Sequence, residues 1–321
     1  MADLATMFEA TDSTTFMGLE ARSTSDLATV HAVILGAPCA TPYPSVGPYC
    51  AGAPAAIRRA SRSFSATRHH INFDLGGPVV NEPADIAVDG GDIAWDAADD
   101  AGNRQRITDA CEAVLAAGAV PLVMGGDDSI PIPVVAAYAS RPDLAPLVIL
   151  QIDAHIDWRD EVQGTRMGLS STMRRVSEMA HVGAMIQVGR RGSGSARPAD
   201  AADAAARGVH FVDAREVHRS GTAAIVERIP IGANVFVTID VDGLDPSIMP
   251  GVIGPEPGGL TYYQALDLID GASERGRIVG FDVVEFVPER DPSGIGALTA
   301  YRLTAHALGR ILRARPDAPA G

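Results

Sequence analysis

Two acidic strings, each directly behind an apolar run, constrain most strongly what this chain can fold into. Residues 147–152 lead into Asp153-Ala154-His155-Ile156-Asp157, and residues 235–239 lead into Asp240-Val241-Asp242-Gly243-Leu244-Asp245-Pro246. Alternate residues of a strand share a face. Asp153, His155 and Asp157 therefore point one way, and so do Asp240 and Asp242. Carboxylates that converge at two strand ends repel each other, and burying them is tolerable only with cations between them. One such string reads as a solvated loop after a strand; two in one chain read as a metal site.

The rest of the pattern says what kind of sheet carries them. Short runs, mostly rich in Val and Ile and bounded by Gly, Asp or Pro, predict strands at 32–35, 121–124, 147–152, 184–188, 209–212, 235–239 and 278–284. Helices are expected at 53–63, 104–117, 132–139, 197–207, 223–229, 262–271 and 298–312. Strands that alternate with helices at this spacing mean βαβ units and a parallel sheet, hence an α/β fold. Residues 1–28 are polar and Thr/Ser-rich and are expected as an N-terminal arm, ahead of one catalytic domain over 29–321. The Gly/Pro-rich segment 250–259 is expected as a loop at a strand's carboxyl end, where open α/β sheets bind ligands.

Composition removes several classes of function. The chain has 321 residues, 46% of them hydrophobic, enough for a sizeable core. Its formal net charge is −14, and the sequence contains no lysine, only arginine. Such acidity argues against nucleic acid and anionic membranes as partners. Cys39, Cys50 and Cys111 are widely spaced without a CxxC pair, which excludes a thiolate metal site and fits a reducing compartment. The N-terminus lacks a signal-peptide pattern and no stretch is long enough to span a bilayer, so a cytoplasmic protein is expected.

Asp, His and water suit Mn²⁺, and also Ni²⁺, Fe²⁺ or Zn²⁺. Two close ions that share carboxylates hold a hydroxide that is nucleophilic at neutral pH, so the reaction class implied is metal-assisted hydrolysis. HExxH and P-loop motifs are absent, and the glycines of 189–194 lack the GxGxxG order. A third string, Gly125-Gly126-Asp127-Asp128-Ser129, follows the strand at 121–124 in a tight turn. Glu285 is a lone acid after the strand at 278–284.

With these strings in place, the chain resembles the ureohydrolases, the arginase/agmatinase family of guanidino-compound hydrolases. The likeness runs through residues 125–129, 153–157 and 240–246, Pro-Glu-Pro-Gly-Gly-Leu-Thr at 255–261, and Asp282-Val283-Val284-Glu285. It implies a three-layer α/β/α fold with a mostly parallel central sheet, two divalent ions (Mn²⁺ first, Ni²⁺ in some members) and trimers or hexamers. By position, Asp153 and Asp240 are implied as bridging ligands. His155 and Asp242 complete one ion, and Asp157 belongs to the other. Glu285 is implied as the acid that takes a small cationic guanidino substrate, since a planar cation and a carboxylate pair bidentately. Asp127 or Asp157 is expected to orient the hydroxide or accept a proton.

Two departures matter. The family writes Gly-Gly-Asp-His-Ser where this chain has Asp128 in the fourth place, so Asp128 replaces a histidine ligand. Five carboxylates then face two divalent ions where the family has four, which weakens the ions as Lewis acids. The family also has a proton-shuttling histidine in a Ser-His-x-(Ser/Thr)-x-x-Arg-Arg pattern, and aligning Arg174 and Arg175 puts Leu169 there. The expected activity is cleavage of a guanidino compound (a guanidino acid, agmatine, guanidine or a biguanide) to urea or a substituted urea and an amine. The alternative is a weakly active or non-catalytic subunit that assembles with an active homologue. Tyr43, Tyr49, Trp158 and Met167 are candidates to line the pocket. Arg159, Arg174 and Arg175 either bind an anionic tail or form surface ion pairs.

Overall fold

The computed structural model describes residues 13–194 and 196–315. Among them, nine strands form one sheet: β1 (Glu20–Ala21), β2 (Ala32–Ala37), β3 (Ala87–Asp92), β4 (Val120–Gly125), β5 (Leu147–Ile152), β6 (Val182–Arg190), β7 (His210–Asp213), β8 (Asn234–Asp240) and β9 (Arg277–Val284). Their order is β1-β3-β2-β4-β9-β8-β5-β6-β7, and every pairing is parallel. The seven predicted strands are present. β1 and β3 were not predicted, because β1 has two residues and β3 reads Ala-Val-Asp-Gly-Gly-Asp, a turn composition.

β5, β8 and β9 are buried along nearly their whole length, as parallel strands covered on both faces must be. One apolar layer packs α1 (Ala53–Ser61), α6 (Ala214–Ser220), α7 (Ala223–Val226), α8 (Tyr262–Arg275) and α9 (Ile295–Arg313) on one face. The other layer packs α2 (Asp100–Ala116), α3 (Pro131–Ala136), α4 (Thr172–Ser177) and α5 (Pro198–Ala206) on the opposite face. The result is the expected three-layer α/β/α arrangement. α4 and α6 were not predicted; each is only six or seven residues long and rich in charge.

Of the stretch expected as an arm, residues 1–12 lie outside the described residues. Residues 13–28 place Phe16 and Met17 in the core and β1 beside β3. Asp89 of β3 fastens this edge. It accepts from the backbone N–H of Phe16 at 2.7 Å and pairs with Arg58 at 2.8 and 2.9 Å. Among the described residues, no helix is long and apolar enough to cross a membrane.

Candidate metal centre

The acidic strings leave the carboxyl ends of neighbouring strands in the middle of the sheet. Asp128 follows β4, Glu285 follows β9, Asp240 ends β8 with Asp242 behind it, and Asp153, His155 and Asp157 follow β5. Two glycines let these turns pack closely, one against the chain after β2 and one against the Asp153 turn. A Cβ on Gly126 would come within 2.3 Å of the Pro38 carbonyl oxygen, and one on Gly243 within 2.6 Å of the Asp153 nitrogen. Asp157 and Glu285 adopt left-handed backbone angles, φ 44° and 69°, although neither is glycine. Strain of this kind persists where the surroundings fix a side chain for function.

The side chains fall into two overlapping groups. Asp128, Asp153 and Asp240 offer ligand atoms that all lie within 4.8 Å of one another, and so do Asp153, His155 and Asp242. Asp153 belongs to both. Asp157 stands beside it: the Gln151 amide donates to Asp153 Oδ2 at 2.6 Å and to Asp157 Oδ2 at 3.3 Å. Asp127 belongs to neither group. Its Oδ1 accepts from the backbone N–H and hydroxyl of Ser129, and so shapes the turn.

Electrostatics test whether these residues fit cations. Asp128 is buried, and both its carboxylate oxygens lack a hydrogen-bond partner. An orphaned buried carboxylate is costly unless it is neutralised or paired. Burial and the neighbouring carboxylates push Asp128, Asp157 and Asp240 well above the usual range. Burial also raises Asp153, but hydrogen bonds involving His155 and Asp157 outweigh it and hold Asp153 low. His155 Nδ1 sits 3.1 Å from Asp242 and 3.5 Å from Asp153, and those contacts push the imidazole up to about 12. The carboxylates thus make this a place that favours positive charge, and a divalent ion there would meet the imidazole deprotonated, since metal ligands bind deprotonated. The donor set fits hard or borderline divalent cations.

Glu285 lies at the edge of this centre. Its Oε1 accepts from the Asp128 backbone N–H at 2.8 Å, and the Tyr49 hydroxyl reaches Oε1 at 2.8 Å and Oε2 at 2.7 Å. Burial first, and then Asp127, raise its carboxyl to about 8, against the lowering effect of the Asp128 and Tyr49 hydrogen bonds.

A model of the arginase family matches residues 30–309. The chain belongs to the arginase family. The family's agmatinase and arginase homologues are hydrolases that act on amidine C–N bonds. This arginase-family chain is 35% identical over 230 residues to an agmatinase of Chromobacterium violaceum, covering 70% of this chain and 68% of that protein. It is 35% identical over 196 residues to an N(1)-aminopropylagmatine ureohydrolase of Thermus thermophilus, covering 61% of this chain and 64% of that protein. That match spans just under two thirds of the Thermus protein, and a separate match over 188 residues spans 53% of a Medicago truncatula mitochondrial arginase. In structure it is similar to the proclavaminate amidino hydrolase of Streptomyces clavuligerus, with a TM-score of 0.81 and 28% identity over 95% of this chain and 99% of the other.

Leu169 opens a short turn, Leu169–Ser171. The turn abuts the centre, because the Thr172 hydroxyl donates to the carbonyls of both Asp128 and Leu169. Trp158 is fully buried and donates to Asp203, so it packs rather than lines a pocket. Arg159 lies 3.6 Å from Asp200, while Arg174 and Arg175 engage Asp160 and Glu178. Those three arginines form ion pairs. Two supporting residues carry no signal a motif search would find. Gln151 orients Asp153 and Asp157 from inside β5. Arg191 donates to the carbonyls of Gly189, Asp242, Gly243, Leu244 and Glu256 at 2.6–3.2 Å, and so ties down the Asp242 loop.

Proposed function

We propose that this chain is a metal-dependent amidinohydrolase that splits a guanidino compound into urea, or a substituted urea, and an amine. One observation carries the reading: two ligand groups share Asp153, and an acid suited to a guanidinium, Glu285, stands at their edge. Asp128, Asp153, Asp157 and Asp240 would hold one cation, and Asp153, His155, Asp240 and Asp242 the other. Mn²⁺ suits this set best, with Ni²⁺ second. When bound, such a pair supplies Lewis acidity and a water acidic enough to serve as a nucleophile near neutral pH.

The protein's own groups do the rest. Glu285 accepts the guanidinium through both carboxylate oxygens, which sets the central carbon beside the ligand row. Water adds its oxygen to that carbon, the bond to the amine nitrogen breaks, and the amine leaves with a proton. Asp157 takes one proton of the water and passes it to the departing amine nitrogen. The second leaves the oxygen as the C=O of urea forms, so that the amine departs as its ammonium. Asp157 stands beside Asp153, whereas Asp127 is committed to Ser129 and supports the turn. The position implied for the family's proton-relaying histidine holds Leu169, so no imidazole relays the proton there. The assembly proposed with this reading is a homotrimer or a hexamer of two trimers, and light scattering reads it directly.

The deciding experiment is metal analysis of reconstituted protein with a urea-release screen over guanidino acids, agmatine, guanidine and biguanides. About two ions per chain are expected, with turnover of at least one substrate class. Glu285→Gln should lower kcat/KM by about 100-fold and leave the metal content alone. A folded protein that takes up no divalent cation sinks the reading.

A further inference from the structure

A cleft of about 600 Å³ opens beside the metal centre, with Ala154, His155 and Ile156 on one part of its wall and Arg190, Arg191, Asp213 and Arg215 on another. The sheet order explains this neighbourhood. Glu285 follows β9, the ligands follow β8 and β5, Arg190 ends β6 with Arg191 next, and Arg215 lies two residues beyond β7. Four strand spacings of about 4.8 Å put roughly 19 Å between the backbones of Glu285 and Arg215, before the reach of either side chain is subtracted. The cleft thus continues the row of strand ends on the side away from Glu285.

The three arginines are not equivalent. Arg190 pairs with Asp213 and lies 4.6 Å from the centroid of the Phe211 ring. Arg191 is occupied by backbone carbonyls, and the Glu256 carboxylate lies close by, against Gly192. Among the described residues, no carboxylate pairs with Arg215. In a chain of net charge −14, an arginine left uncompensated in the cleft beside the reaction centre has a natural partner in the ligand.

We infer that this cleft is the tail subsite and that Arg215 takes an anionic tail, which makes the substrate a guanidino acid. The inference rests on the amidinohydrolase reading. The substrate's cation meets Glu285, its reacting carbon lies over the ligand row, and its carboxylate reaches Arg215. A basic tail would meet the uncompensated guanidinium of Arg215 and be repelled, whereas Asp213 and Glu256 offset Arg190 and Arg191.

Three ligands of similar length separate the possibilities: 4-guanidinobutyrate with an anionic tail, butylguanidine with a neutral one and agmatine with a cationic one. Binding to the Mn²⁺-reconstituted protein is measured by calorimetry and urea release separately. The acid should bind at least ten-fold more tightly than the other two. Arg215→Ala should weaken the acid by about 10- to 100-fold, the size of a lost charge-assisted pair, and leave butylguanidine unchanged. Arg215→Lys should recover part of the loss, and Arg215→Glu should shift preference towards agmatine. Equal handling of all three ligands by the parent, or an equal loss of all three in Arg215→Ala, overturns the subsite. Urea release from all three at similar rates overturns it while the reaction stands. Arg215-dependent binding of the acid without urea from any ligand leaves the subsite standing and removes the reaction.

Discussion

The Tyr49 hydroxyl lies 2.8 and 2.7 Å from the two carboxylate oxygens of Glu285, nearly equidistant from both. That is the position from which a guanidinium would address the same carboxylate through two parallel N–H bonds. On the proposed reading, Tyr49 occupies the place of the substrate's cation and has to leave when a guanidinium arrives. Tyr49→Phe should lower KM for the guanidino substrate by about ten-fold, the net worth of a hydrogen bond to a charged group, with a smaller change in kcat. Steady-state kinetics check this, and a KM that rises or stays constant means that substrate and hydroxyl share the carboxylate.

Asp128 is the unusual member of the proposed ligand set. Asp128→Ala removes oxygens from one ligand group and leaves Asp153, His155 and Asp242 complete. Metal analysis of the variant should find one ion per chain held as in the parent and the other lost or weakened. Two ions bound with parental affinity would make Asp128 a spectator.

Arg191 touches no ligand side chain in the hydrogen-bond network, yet it holds the carbonyls on either side of Gly243. Arg191→Gln should free that loop and weaken cation binding by about 10- to 100-fold, the usual effect of losing a group that orients a ligand. Chelator competition measures it. An unchanged affinity would reduce Arg191 to a surface anchor.

Asp282 faces Thr238 across the β8–β9 pair and is fully buried, with no hydrogen-bonded donor on either oxygen. Burial pushes its carboxyl up to about 8, although the nearby Thr238 side chain pulls the other way. The unfolded chain gives up this proton near pH 4, whereas the folded chain keeps it to about 8. Folding therefore binds an extra proton between those values, and stability falls as pH rises through that window. Asp282→Asn keeps the shape without the ionisation. Denaturation curves should show the variant close to the parent at pH 4 and more stable at pH 8, by an amount on the order of a few kcal/mol. A variant less stable than the parent at pH 8 contradicts this account.

The parts of the molecule legible in the sequence share one property: local pattern and tertiary role agree there. β5 and β8 read as strands because Val, Ile and Leu fill both faces, and the carboxylates behind them read as ligands because nothing else justifies their density. β3 was missed because its strand character rests on a distant partner. Arg58 and the Phe16 backbone hold Asp89, whereas locally Asp-Gly-Gly-Asp spells a turn. The Tyr49–Glu285 contact spans 236 positions and leaves no trace in either neighbourhood. Arg191 was hidden for a different reason: its partners are backbone carbonyls, which every residue has.

The order β4-β9-β8-β5 carries a consequence for how the chain comes into being. β4 and β5 are successive strands, yet they finish three places apart, and the gap between them is filled by β8 and β9, the last two of the described strands to be made. As the chain grows from its N-terminus, β4 and β5 wait with open edges while more than eighty residues are added. Asp128 and Asp153 stand on those waiting strands, and Asp240, Asp242 and Glu285 arrive on the insertion. Parallel pairing over such separations is slow. The ability to capture a cation thus appears only when the final pair of strands has slotted home, so metal uptake timed against refolding reports the last step of sheet assembly rather than the first.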